Sequence, residues 1–582
     1  MENLTVKVNG VEVSVPKGTT VLEAAHIAGI EIPTLCYMKE INEIGACRIC
    51  VTEVNEGRGF RLVAACVYPC SNNMEILTST PKVIESRKRT LELILSTHDR
   101  KCLSCVRSGN CELQKLAKDY GIEDASVYDG AKNEYEIDNS AAHMYRDNNK
   151  CILCRRCVAV CSKVQGIGVI GANERGFKTY IGSAFDMGLG ETSCVSCGQC
   201  IAVCPVGAIS EKDYTKPVLE AIANPDKTVL VQTAPAVRAA LGECFGLPIG
   251  TNVEGKMVAA LRRLGFDKVF DTDFSADLTI MEEANEFIDR VKNGGVLPMI
   301  TSCSPGWVKY CEHYFPDMTE NLSTCKSPQQ MFGAMAKTYY AEKMGLDPKD
   351  IVMVSIMPCT AKKYEIGRDD QSAAGVPDVD YALTTRELGR MIERAGINFN
   401  ALPDEKFDEP LGISTGAGVI FGATGGVMEA ALRTAVYTLT GENVIDLPEV
   451  RGTEGIKEAT YKVGDLDVKV AVASGLANAK ELLEKVQNGE ADYQFIEIMG
   501  CPGGCVNGGG QPQQPMNIRN FVDIRAERAK VLYDIDASMP IRQSHENPAI
   551  KEVYETYLGE PGSHKAHEIL HTSYVKRKVN NV

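Results

Sequence analysis

The chain has 582 residues, of which 44% are hydrophobic and 24% charged, and its formal net charge is -15. This length predicts roughly three to five folding units. The negative charge argues against a nucleic-acid surface, which needs clustered Lys and Arg. No stretch reaches the ~18 apolar residues that span a bilayer, and the N-terminus lacks the pattern of a secretory signal. We therefore expect a cytoplasmic chain that binds neither membrane nor nucleic acid.

Cysteine is the informative residue type, because the chain has 23 cysteines and one tryptophan. In a reducing compartment, closely spaced cysteines are more often metal ligands or catalytic thiols than disulfides. Most of the cysteines fall into groups along the chain. The others are interpreted as small buried or surface residues: Cys70, Cys244, Cys311 and Cys325.

The first cysteine group follows a predicted hairpin and helix. Residues 4–8 and 11–15 alternate apolar and polar around Asn9-Gly10, a preferred two-residue turn, and Thr20 with Glu23 forms a capping box. This lead-in resembles the plant-type 2Fe-2S fold, a β-grasp, at the start of the large subunit of respiratory complex I. We predict a 2Fe-2S domain over residues 1–80, with zinc or scattered core cysteines as alternatives. Its predicted ligands are Cys36, Cys47, Cys50 and Cys66.

Residues 81–143 form the second predicted domain. The sequence from Pro81 to about Leu116 has a helical pattern and includes one histidine and three cysteines, a set that binds either zinc or an iron–sulfur cube. Spacing does not choose between the two. Because redox clusters are predicted on both sides, a redox-silent zinc would interrupt an electron path, so we favour a 4Fe-4S cluster. Its predicted ligands are His98, Cys102, Cys105 and Cys111.

Residues 144–215 contain two runs with the spacing Cys-x2-Cys-x2-Cys-x3-Cys. This spacing is typical of bacterial two-cluster ferredoxins, in which three close thiolates bind one 4Fe-4S cube and the fourth serves the other. Zinc is a minor alternative. The glycine-rich segment between the runs predicts strands and turns. The predicted ligand sets are Cys151, Cys154, Cys157 and Cys204 for one cube, and Cys194, Cys197, Cys200 and Cys161 for the other.

Residues 216–582 are predicted to form a large α/β domain with a helical C-terminal tail. Apolar runs over 228–232, 296–300, 351–356 and 468–473 alternate with amphipathic helical stretches, a pattern typical of largely parallel sheets. Cys303, Cys359 and Cys501 each follow a predicted strand directly. Because the carboxyl ends of parallel strands are where α/β proteins bind ligands, we expect the chemistry at these cysteines.

Three motifs around these cysteines resemble the signatures of iron-iron hydrogenases. They are Thr301-Ser302-Cys303-Ser304-Pro305-Gly306-Trp307, Met357-Pro358-Cys359-Thr360-Ala361-Lys362-Lys363-Tyr364-Glu365, and Glu497-Ile498-Met499-Gly500-Cys501-Pro502-Gly503-Gly504-Cys505. The resemblance covers nearly the whole chain and implies reversible interconversion of dihydrogen with protons and electrons. It also implies an H-cluster, in which a 4Fe-4S cube shares a cysteine with a two-iron subsite carrying carbon monoxide, cyanide and a dithiolate amine. Three accessory 4Fe-4S clusters and one 2Fe-2S cluster complete the implied set.

The same resemblance assigns residues around the H-cluster. It makes Cys359, Cys501 and Cys505 ligands, and Cys505 the thiolate that bridges cube and subsite. The cation of Lys362 would hydrogen-bond an anionic cyanide, whereas the residue by itself also fits a solvated surface lysine. The glycines from Gly503 to Gly510 would let the backbone approach the bulky cluster. The implied cofactor-binding side chains are Lys362, Met357, Gln329 and Met499.

A proton relay is implied by charged residues on one predicted helix, Ala276 to Asn293. Glu283 and Glu286 are three residues apart and Arg290 is four beyond Glu286, so they share a face. The pattern alone indicates an exposed charged face. The resemblance places Glu283, Ser323, Glu286 and Arg290 in the family's proton relay, where carboxylates take and release protons.

The first signature departs from the family at one position. The family usually has two adjacent cysteines, the first relaying protons and the second ligating the cube, whereas this chain has Cys303 and Ser304. Either Ser304 binds iron through oxygen, or Cys303 ligates the cube and Ser304 carries the proton. A hydroxyl does not ionise usefully near neutral pH, so the second arrangement predicts a slower relay or a shifted pH optimum.

The chain has no evident flavin or nicotinamide site, because Gly416 to Gly422 misses the spacing of the dinucleotide fingerprint by one residue. Electrons would be exchanged with ferredoxin, or with flavin- and NAD-binding partner subunits in a hetero-oligomer. The domain order resembles both the monomeric ferredoxin-dependent enzymes and the catalytic subunit of NAD-linked, electron-bifurcating complexes. A hydrogen sensor with poor turnover is the second hypothesis. An electron-transfer or iron–sulfur assembly protein, whose final site binds only a cube, ranks last. It would leave four features without a role: Lys362, Glu283, Glu286 and the Cys501-x3-Cys505 pair.

Overall fold

The strands of the protein form five sheets in the computed structural model, which describes residues 2–463 and 466–579. The strands are β1 (Asn3–Val8), β2 (Val11–Pro16), β3 (Val51–Asn55), β4 (Arg61–Ala64), β5 (Glu75–Leu77), β6 (Met144–Arg146), β7 (Gly171–Asn173), β8 (Tyr180–Gly182), β9 (Ile209–Glu211), β10 (Thr228–Thr233), β11 (Lys268–Asp271), β12 (Met299–Ile300), β13 (Ile351–Met357), β14 (Tyr381–Thr384), β15 (Ile456–Val463), β16 (Leu466–Ser474) and β17 (Phe495–Met499).

Helices are distributed along the whole chain and become longer in its second half. They are α1 (Val21–Ile27), α2 (Pro81–Thr97), α3 (Glu112–Asp119), α4 (Arg156–Ala159), α5 (Gln199–Ala202), α6 (Thr215–Ile222), α7 (Pro235–Arg238), α8 (Glu254–Leu264), α9 (Thr272–Asn293), α10 (Pro305–Tyr314), α11 (Pro328–Met335), α12 (Ala341–Met344), α13 (Ala361–Glu365), α14 (Thr385–Arg394), α15 (Gly416–Ile420), α16 (Gly426–Thr440), α17 (Leu476–Gln487), α18 (Met516–Arg519), α19 (Ile524–Ser538), α20 (Pro548–Val553) and α21 (His564–Leu570). None in the described ranges is both long and apolar enough to cross a membrane.

The N-terminal sheet has the strand order β2-β1-β5-β3-β4. Its first hairpin pairs Val8 with Val11, and both turn residues, Asn9 and Gly10, have positive φ, which is why this dipeptide is favoured there. The Thr20 side chain accepts a hydrogen bond from the backbone N–H of Glu23, and the Glu23 side chain accepts one from the N–H of Thr20. The predicted hairpin and capping box are therefore both confirmed.

The helical prediction from Pro81 to Leu116 is wrong in its middle. Helix α2 ends at Thr97, where His98 turns to extended backbone, and α3 begins only after Cys111. The segment between them folds back on the next domain, since the N–H of Glu112 donates to the carbonyl of Pro205 at 3.1 Å. Apolar periodicity continues through the break, so it did not reveal that the intervening residues form a ligand loop.

A small antiparallel pair, β6 with β9, supports the two cysteine runs, and each run leads into a short helix, α4 or α5. Between the runs, β7 and β8 form an antiparallel hairpin, which confirms the strands and turns predicted for the glycine-rich segment.

The large domain contains two four-stranded sheets, in the orders β11-β10-β13-β14 and β12-β17-β16-β15. All neighbours in the first sheet are parallel, and in the second only the edge pair β15–β16 is antiparallel. The predicted α/β layering is confirmed. Strand β12 is shorter than the predicted run from Val296, because Pro298 has no N–H to donate and pairing begins at Met299.

The chain ends in helices α19 to α21 followed by an extended segment over residues 572–579. This segment packs on α10 and on the residues between α10 and α11. The N–H of Arg577 and its guanidinium both donate to Glu312, and the Tyr574 hydroxyl donates to the carbonyl of Ser323. The helical prediction for the tail is therefore confirmed up to Leu570.

Candidate metal centres and proton path

Four cysteine thiols meet where β12, β13 and β17 end. Cys501 is buried, and Cys303, Cys359 and Cys505 are half-buried. Withdrawal from solvent, with the neighbouring thiols Cys359 and Cys505, raises the pKa of Cys501. Burial and the same Cys359 raise the pKa of Cys505 to about 12. Several adjacent thiolates cannot persist together there without a compensating cation, so the donor set fits an iron–sulfur cluster.

Cys303 and Ser304 point to different neighbours. The pKa of the Cys303 thiol is raised well above its usual value by burial, and also by Glu283 and Cys505. The Ser304 hydroxyl instead accepts a hydrogen bond from the N–H of Gly500 at 3.2 Å, one residue before Cys501. Cys303 therefore lies toward the predicted proton path, and Ser304 toward the loop that carries two of the cube ligands.

Lys362 is buried, so its interpretation as a solvated surface lysine is wrong. Its ammonium lies 2.7 Å from the Ser327 hydroxyl, 2.9 Å from the Glu365 carboxylate and 3.3 Å from the carbonyl of Cys303. Gln329 belongs to the same network, because its amide donates to Glu365 at 2.9 Å. The cation is thus held in one position beside the thiol group.

The sequence analysis gave no role to Ser327, or to Glu365 at the end of the second motif, although these two side chains hold Lys362. Glu365 lies three residues after Lys362 on α13, a spacing that places both on one helix face and that the sequence already contained. Ser327 comes from the loop before α11, and no local pattern links it to Lys362. The predicted cofactor residues Met357 and Met499 are the last residues of β13 and β17, and each is 2% exposed.

The glycines after Cys505 pack against protein backbone. A Cβ at Gly508 would collide with the carbonyl of Pro358, and one at Gly509 with the carbonyl of Cys197. The close approach that the structure shows is therefore between chain segments, whereas the sequence analysis attributed it to the cluster. As a consequence of this packing, the loop that carries Cys197 is in direct contact with the loop that follows Cys505.

The predicted proton-path residues line up along α9. Glu283 is 1% exposed, so the interpretation of this stripe as an exposed charged face is wrong. Neither oxygen of Glu283 has a hydrogen-bond partner among the described residues, and burial together with Glu286 raises its pKa to about 8. The Ser323 hydroxyl donates to Glu286 at 3.0 Å, and Arg290 donates to Glu286 at 2.6 Å. The polar side chains thus form a row from Cys303 outward to Arg290.

Cys325 lies beside this row of proton-path residues, although the sequence around it gave no sign of a role. Its thiol lies 3.9 Å from the Glu286 carboxylate, and donor atoms of Cys325, Glu286 and His571 lie within 4.8 Å of one another. Glu286 already accepts from Arg290 and Ser323, and both nitrogens of His571 have polar neighbours, the Thr324 hydroxyl and Glu282. The three side chains extend the hydrogen-bonded network, and we assign no cation to them.

The eight cysteines of the two runs divide between two cavities in the way that the ferredoxin spacing predicts. One cavity is lined by the first ligand set, Cys151, Cys154, Cys157 and Cys204. The other is lined by the second set, Cys161, Cys194, Cys197 and Cys200. Burial raises the pKa of all of these thiols, so each set fits a bound cluster better than free thiols.

The histidine-containing set lies next to these runs. His98 is buried with Nδ1 unbonded among the described residues, while a backbone hydrogen bond to Lys150 engages its ring and burial lowers its pKa. A neutral imidazole with one free nitrogen and the other held by backbone is the usual state of a metal-binding histidine. Cys105 is close enough to Cys111 to raise its pKa, and the Cys111 thiol donates to the carbonyl of Pro205 at 3.7 Å.

In the N-terminal domain the four predicted ligands form two hydrogen-bonded thiol pairs. Cys36 pairs with Cys47 and lowers its pKa to about 6, and Cys66 pairs with Cys50 and lowers its pKa. All 23 cysteines of the chain are free of disulfides. Close thiols that remain unoxidised and share protons are a donor set suited to a metal cluster.

These sites define a class of protein, an iron–sulfur oxidoreductase in which cluster-binding domains lead to one enclosed catalytic metal site. Residues 227–509 match the family described as iron only hydrogenase large subunit, C-terminal domain, and residues 522–577 match iron hydrogenase small subunit. Three further families match the N-terminal part. They are a 2Fe-2S iron-sulfur cluster binding domain over 1–81, the NADH-ubiquinone oxidoreductase-G iron-sulfur binding region over 87–126, and a 4Fe-4S dicluster domain over 150–208.

Relatives match over almost the full length. The chain is 52% identical to the NADP-reducing hydrogenase subunit HndD of Solidesulfovibrio fructosivorans, covering 99% of this chain and 100% of that one. It is 44% identical to Iron hydrogenase 1 of Clostridium pasteurianum, covering 98% and 100%. Apo FeFe-hydrogenase HydA1 of Chlamydomonas reinhardtii has a similar structure, with a TM-score of 0.56 at 45% identity, covering 63% of this chain and 99% of that one.

The chain therefore belongs to the iron-only, or iron-iron, hydrogenase family. It is a hydrogenase that has 2Fe-2S and 4Fe-4S binding domains ahead of an H-cluster domain, as the sequence predicted. The hypothesis of an iron–sulfur assembly protein is dropped.

Proposed function

We propose that this hydrogenase catalyses the reversible interconversion of dihydrogen with protons and electrons at a diiron H-cluster. Cys359, Cys501 and Cys505 would hold the cluster together with a ligand from position 303 or 304. The H-cluster supplies the metal at which dihydrogen is bound and cleaved. The observation that carries the proposal is the meeting of these thiols with a buried, fixed cation, Lys362, and a buried carboxyl, Glu283. No structural role requires all three kinds of group in one place.

Lys362 would hold the anionic part of the cofactor by a charge-assisted hydrogen bond. An ammonium has three protons, and those of Lys362 are directed at Ser327, Glu365 and the carbonyl of Cys303. The bond to Cys303 is the longest, at 3.3 Å, and is the one most readily exchanged for an anionic ligand such as cyanide. Glu365 and Gln329 keep the ammonium in place during this exchange.

For position 303 and 304, the arrangement favours Ser304 as the cube ligand and Cys303 as the proton carrier. Ser304 adjoins Gly500 and the loop of Cys501, which is the cube side of the site. Burial raises the pKa of the Cys303 thiol, and the nearby Glu283 carboxyl raises it further. A thiol beside a carboxyl whose pKa is about 8 is suited to exchanging a proton with it.

The Ser323 hydroxyl donates to Glu286 at 3.0 Å, and for a proton to pass between Glu283 and Glu286 it would also accept from protonated Glu283, since a hydroxyl can do both. Arg290 holds Glu286 in place with an ion pair of 2.6 Å, and it is itself held by carbonyls such as that of Leu322, at 2.8 Å. Because Glu283 is protonated below about pH 8, it can supply a proton toward Cys303 at neutral pH and be recharged from Glu286.

Electrons would travel through three accessory 4Fe-4S clusters and one 2Fe-2S cluster to a partner. The relative from Solidesulfovibrio fructosivorans is named a subunit of an NADP-reducing hydrogenase, which supports a hetero-oligomer. We propose flavin- and NAD-binding subunits as its partners and the cytoplasm as its location. Ferredoxin is the second electron partner we propose. The region that matches the hydrogenase small subunit, 522–577, is part of this chain, so the proposed partners serve electron exchange.

Two measurements on the anaerobically purified, matured enzyme test this function. Hydrogen evolution with dithionite-reduced methyl viologen should be measurable, and infrared bands of iron-bound carbon monoxide and cyanide should be present. Protein with the infrared bands but no turnover would favour the sensor hypothesis. Protein with fully loaded accessory clusters and neither property would refute the proposal. Co-purification with a flavin-containing subunit distinguishes the hetero-oligomer from a monomer that reduces ferredoxin.

Replacing Ser304 by Cys tests the ligand assignment. If Ser304 faces the cube, Ser304→Cys should change the electron paramagnetic resonance spectrum of the H-cluster and preserve hydrogen evolution. Cys303→Ser should leave that spectrum unchanged and slow the reaction, because a hydroxyl exchanges protons with Glu283 poorly. The reverse pattern, in which Cys303→Ser alters the spectrum and Ser304→Cys does not, would show that Cys303 is the ligand.

A further inference from the structure

His143 is a buried histidine that the proposed mechanism does not use. Its side chain is 1% exposed, and neither ring nitrogen has a hydrogen-bond partner among the described residues. Burying an unpaired N–H is unfavourable, and native proteins rarely leave one without a reason. Burial lowers the pKa of His143 to about 3, so the ring is neutral and carries a single N–H. This donor needs an acceptor that belongs to something other than the polypeptide.

The position of His143 identifies the acceptor. His143 lines the cavity that is also lined by Cys161, Cys194, Cys197 and Cys200. Its backbone is fixed, because its carbonyl accepts from the N–H of Lys212 at 3.0 Å and the next residue begins β6. That next residue, Met144, lies 3.9 Å from the Cys200 sulfur through its own sulfur. The imidazole is therefore held at the edge of the space that the proposed cluster occupies.

Iron–sulfur clusters offer the missing acceptors. Their sulfide and thiolate sulfurs accept hydrogen bonds, and such bonds stabilise the reduced, more negative cluster and raise its reduction potential. Four cysteines already supply one ligand for each iron of a cube, so His143 is not needed as a ligand. A cluster in this cavity would therefore supply the acceptor that the His143 N–H lacks.

We propose that His143 donates a hydrogen bond to a sulfur of the cluster bound by Cys161, Cys194, Cys197 and Cys200, and thereby raises the reduction potential of that cluster. The inference rests on the proposed cluster assignment and adds a residue that positions and tunes it. Burial raises the pKa of the Cys197 thiol, and Cys501 is close enough to add to this increase. The tuned cluster is thus the one nearest the catalytic site, and its potential sets how readily electrons reach that site.

Arg146 has a related but less selective position. Its Nε and Nη1 are also buried without partners in the described part of the chain, and it lines both ferredoxin-type cavities. A substitution of Arg146 should therefore affect two clusters, whereas a substitution of His143 should affect one. This difference makes His143 the sharper test.

The experiment is a redox titration of the purified enzyme followed by electron paramagnetic resonance. Cys194→Ala identifies the signal of the cluster, because that signal should be lost. His143→Phe keeps an aromatic ring and removes the donor, so the ratio of reduced to oxidised cluster at a fixed potential should fall by about tenfold, which corresponds to a shift of about 59 mV to lower potential for a one-electron couple. His143→Asn, which retains a side-chain N–H, should recover much of the difference. Tyr145→Phe, on β6 but outside both cavities, is the matched control and should leave the potential unchanged.

A second measurement needs no substitution. Enzyme grown with 15N-labelled histidine should show a weak nitrogen coupling on this cluster, distinct from the strong coupling of a histidine bound directly to iron. An unchanged potential in His143→Phe with full iron content, or the absence of the weak coupling in unmodified enzyme, would overturn the inference while leaving the hydrogenase proposal intact. A strong coupling on this cluster would also overturn it, by showing that His143 is a ligand. Absence of any signal that depends on Cys194 would instead contradict the cluster assignment itself.

Discussion

The accessory part of the chain, residues 1–215, and the catalytic part, residues 216–582, assemble their metal sites in different ways. In the accessory part most ligands of a set come from one short loop, such as Cys151 to Cys157, so little ordered chain is needed to bring them together. In the catalytic part the ligands lie far apart in sequence and meet because β12, β13 and β17 end at one place. Local sets should tolerate changes elsewhere in the protein, whereas the catalytic set depends on both large sheets.

The largest effect is expected from removing a catalytic ligand. Cys501→Ala should reduce hydrogen evolution to background and abolish the infrared bands of the H-cluster, because no neighbouring residue in its loop can replace the ligand. Cys157→Ala should remove only one accessory cluster signal and leave the infrared bands in place. Cys311→Ala, at a buried cysteine outside all of the proposed sites, is the control and should retain both properties. Loss of the infrared bands in Cys157→Ala would contradict the independence of the two parts.

The next effect concerns the proton path. Glu283→Gln keeps the size of the side chain and removes its ability to release a proton, so hydrogen evolution should fall on the order of 100-fold to 10,000-fold. Electron paramagnetic resonance signals of the clusters should be unchanged. Glu282→Gln is the matched control, since Glu282 is an equally buried carboxyl on α9 that accepts hydrogen bonds from Tyr554 and Gly562 instead. An equal loss in both variants would show that the effect comes from burying a neutral side chain and not from the relay.

A smaller effect is expected at the contact between the two parts. Gly509→Ala places a methyl group against the carbonyl of Cys197, and neither backbone segment can move freely, so stability should fall by about 1–3 kcal/mol. The thermal midpoint should drop, and electron transfer from the reduced accessory clusters to the catalytic centre should slow. Gly130→Ala is the control, because a Cβ there meets open space. An unchanged midpoint and unchanged transfer rate in Gly509→Ala would show that the two loops are not tightly packed.

The smallest effect is a pH dependence of stability inside the catalytic part. Burial raises the pKa of Asp277 to about 6 from an ordinary value of 3.8, even though Thr415, Ser544 and Asn547 donate to its carboxyl. The fold therefore favours the protonated form, and the stability due to this group is complete below about pH 4 and is lost as the pH rises through about 6. Asp277→Asn should flatten this part of the dependence of the thermal midpoint on pH. A variant with the same slope as the unmodified protein would contradict the assignment.

The same contrast explains what the sequence could and could not predict. The hairpin at Asn9-Gly10, the capping box at Thr20 and the spacing of the ferredoxin cysteines are local features, and local geometry fixes them. The break of the helix at His98 was missed, because hydrophobic periodicity continues through a loop whose shape depends on packing against Pro205. The catalytic cysteines were correctly predicted to lie at the carboxyl ends of parallel strands, because each follows an apolar run that could be recognised in the sequence.

The polar environment of the catalytic part was much less accessible from sequence. The charged stripe on α9 and Lys362 both fit exposed positions by pattern, and only the packing of distant segments buries them. The partnership of Lys362 with Ser327 joins residues from two loops, and the unpaired nitrogens of His143 become visible only when every neighbour is known. Burial and hydrogen bonding depend on contacts between distant segments of the folded molecule, so the hydrophobic periodicity of the sequence does not predict them.

The contact of Gly509 with Cys197 also bears on how the molecule moves. The two backbones pack directly against each other with no side chain between them. A shift of one along the other would bring a carbonyl oxygen into steric contact with the opposite backbone. The two loops can therefore move relative to each other at this point only if one of the backbones deforms. The distance for electron transfer between the Cys197 loop and the catalytic loop is therefore expected to stay constant while other parts of the molecule move.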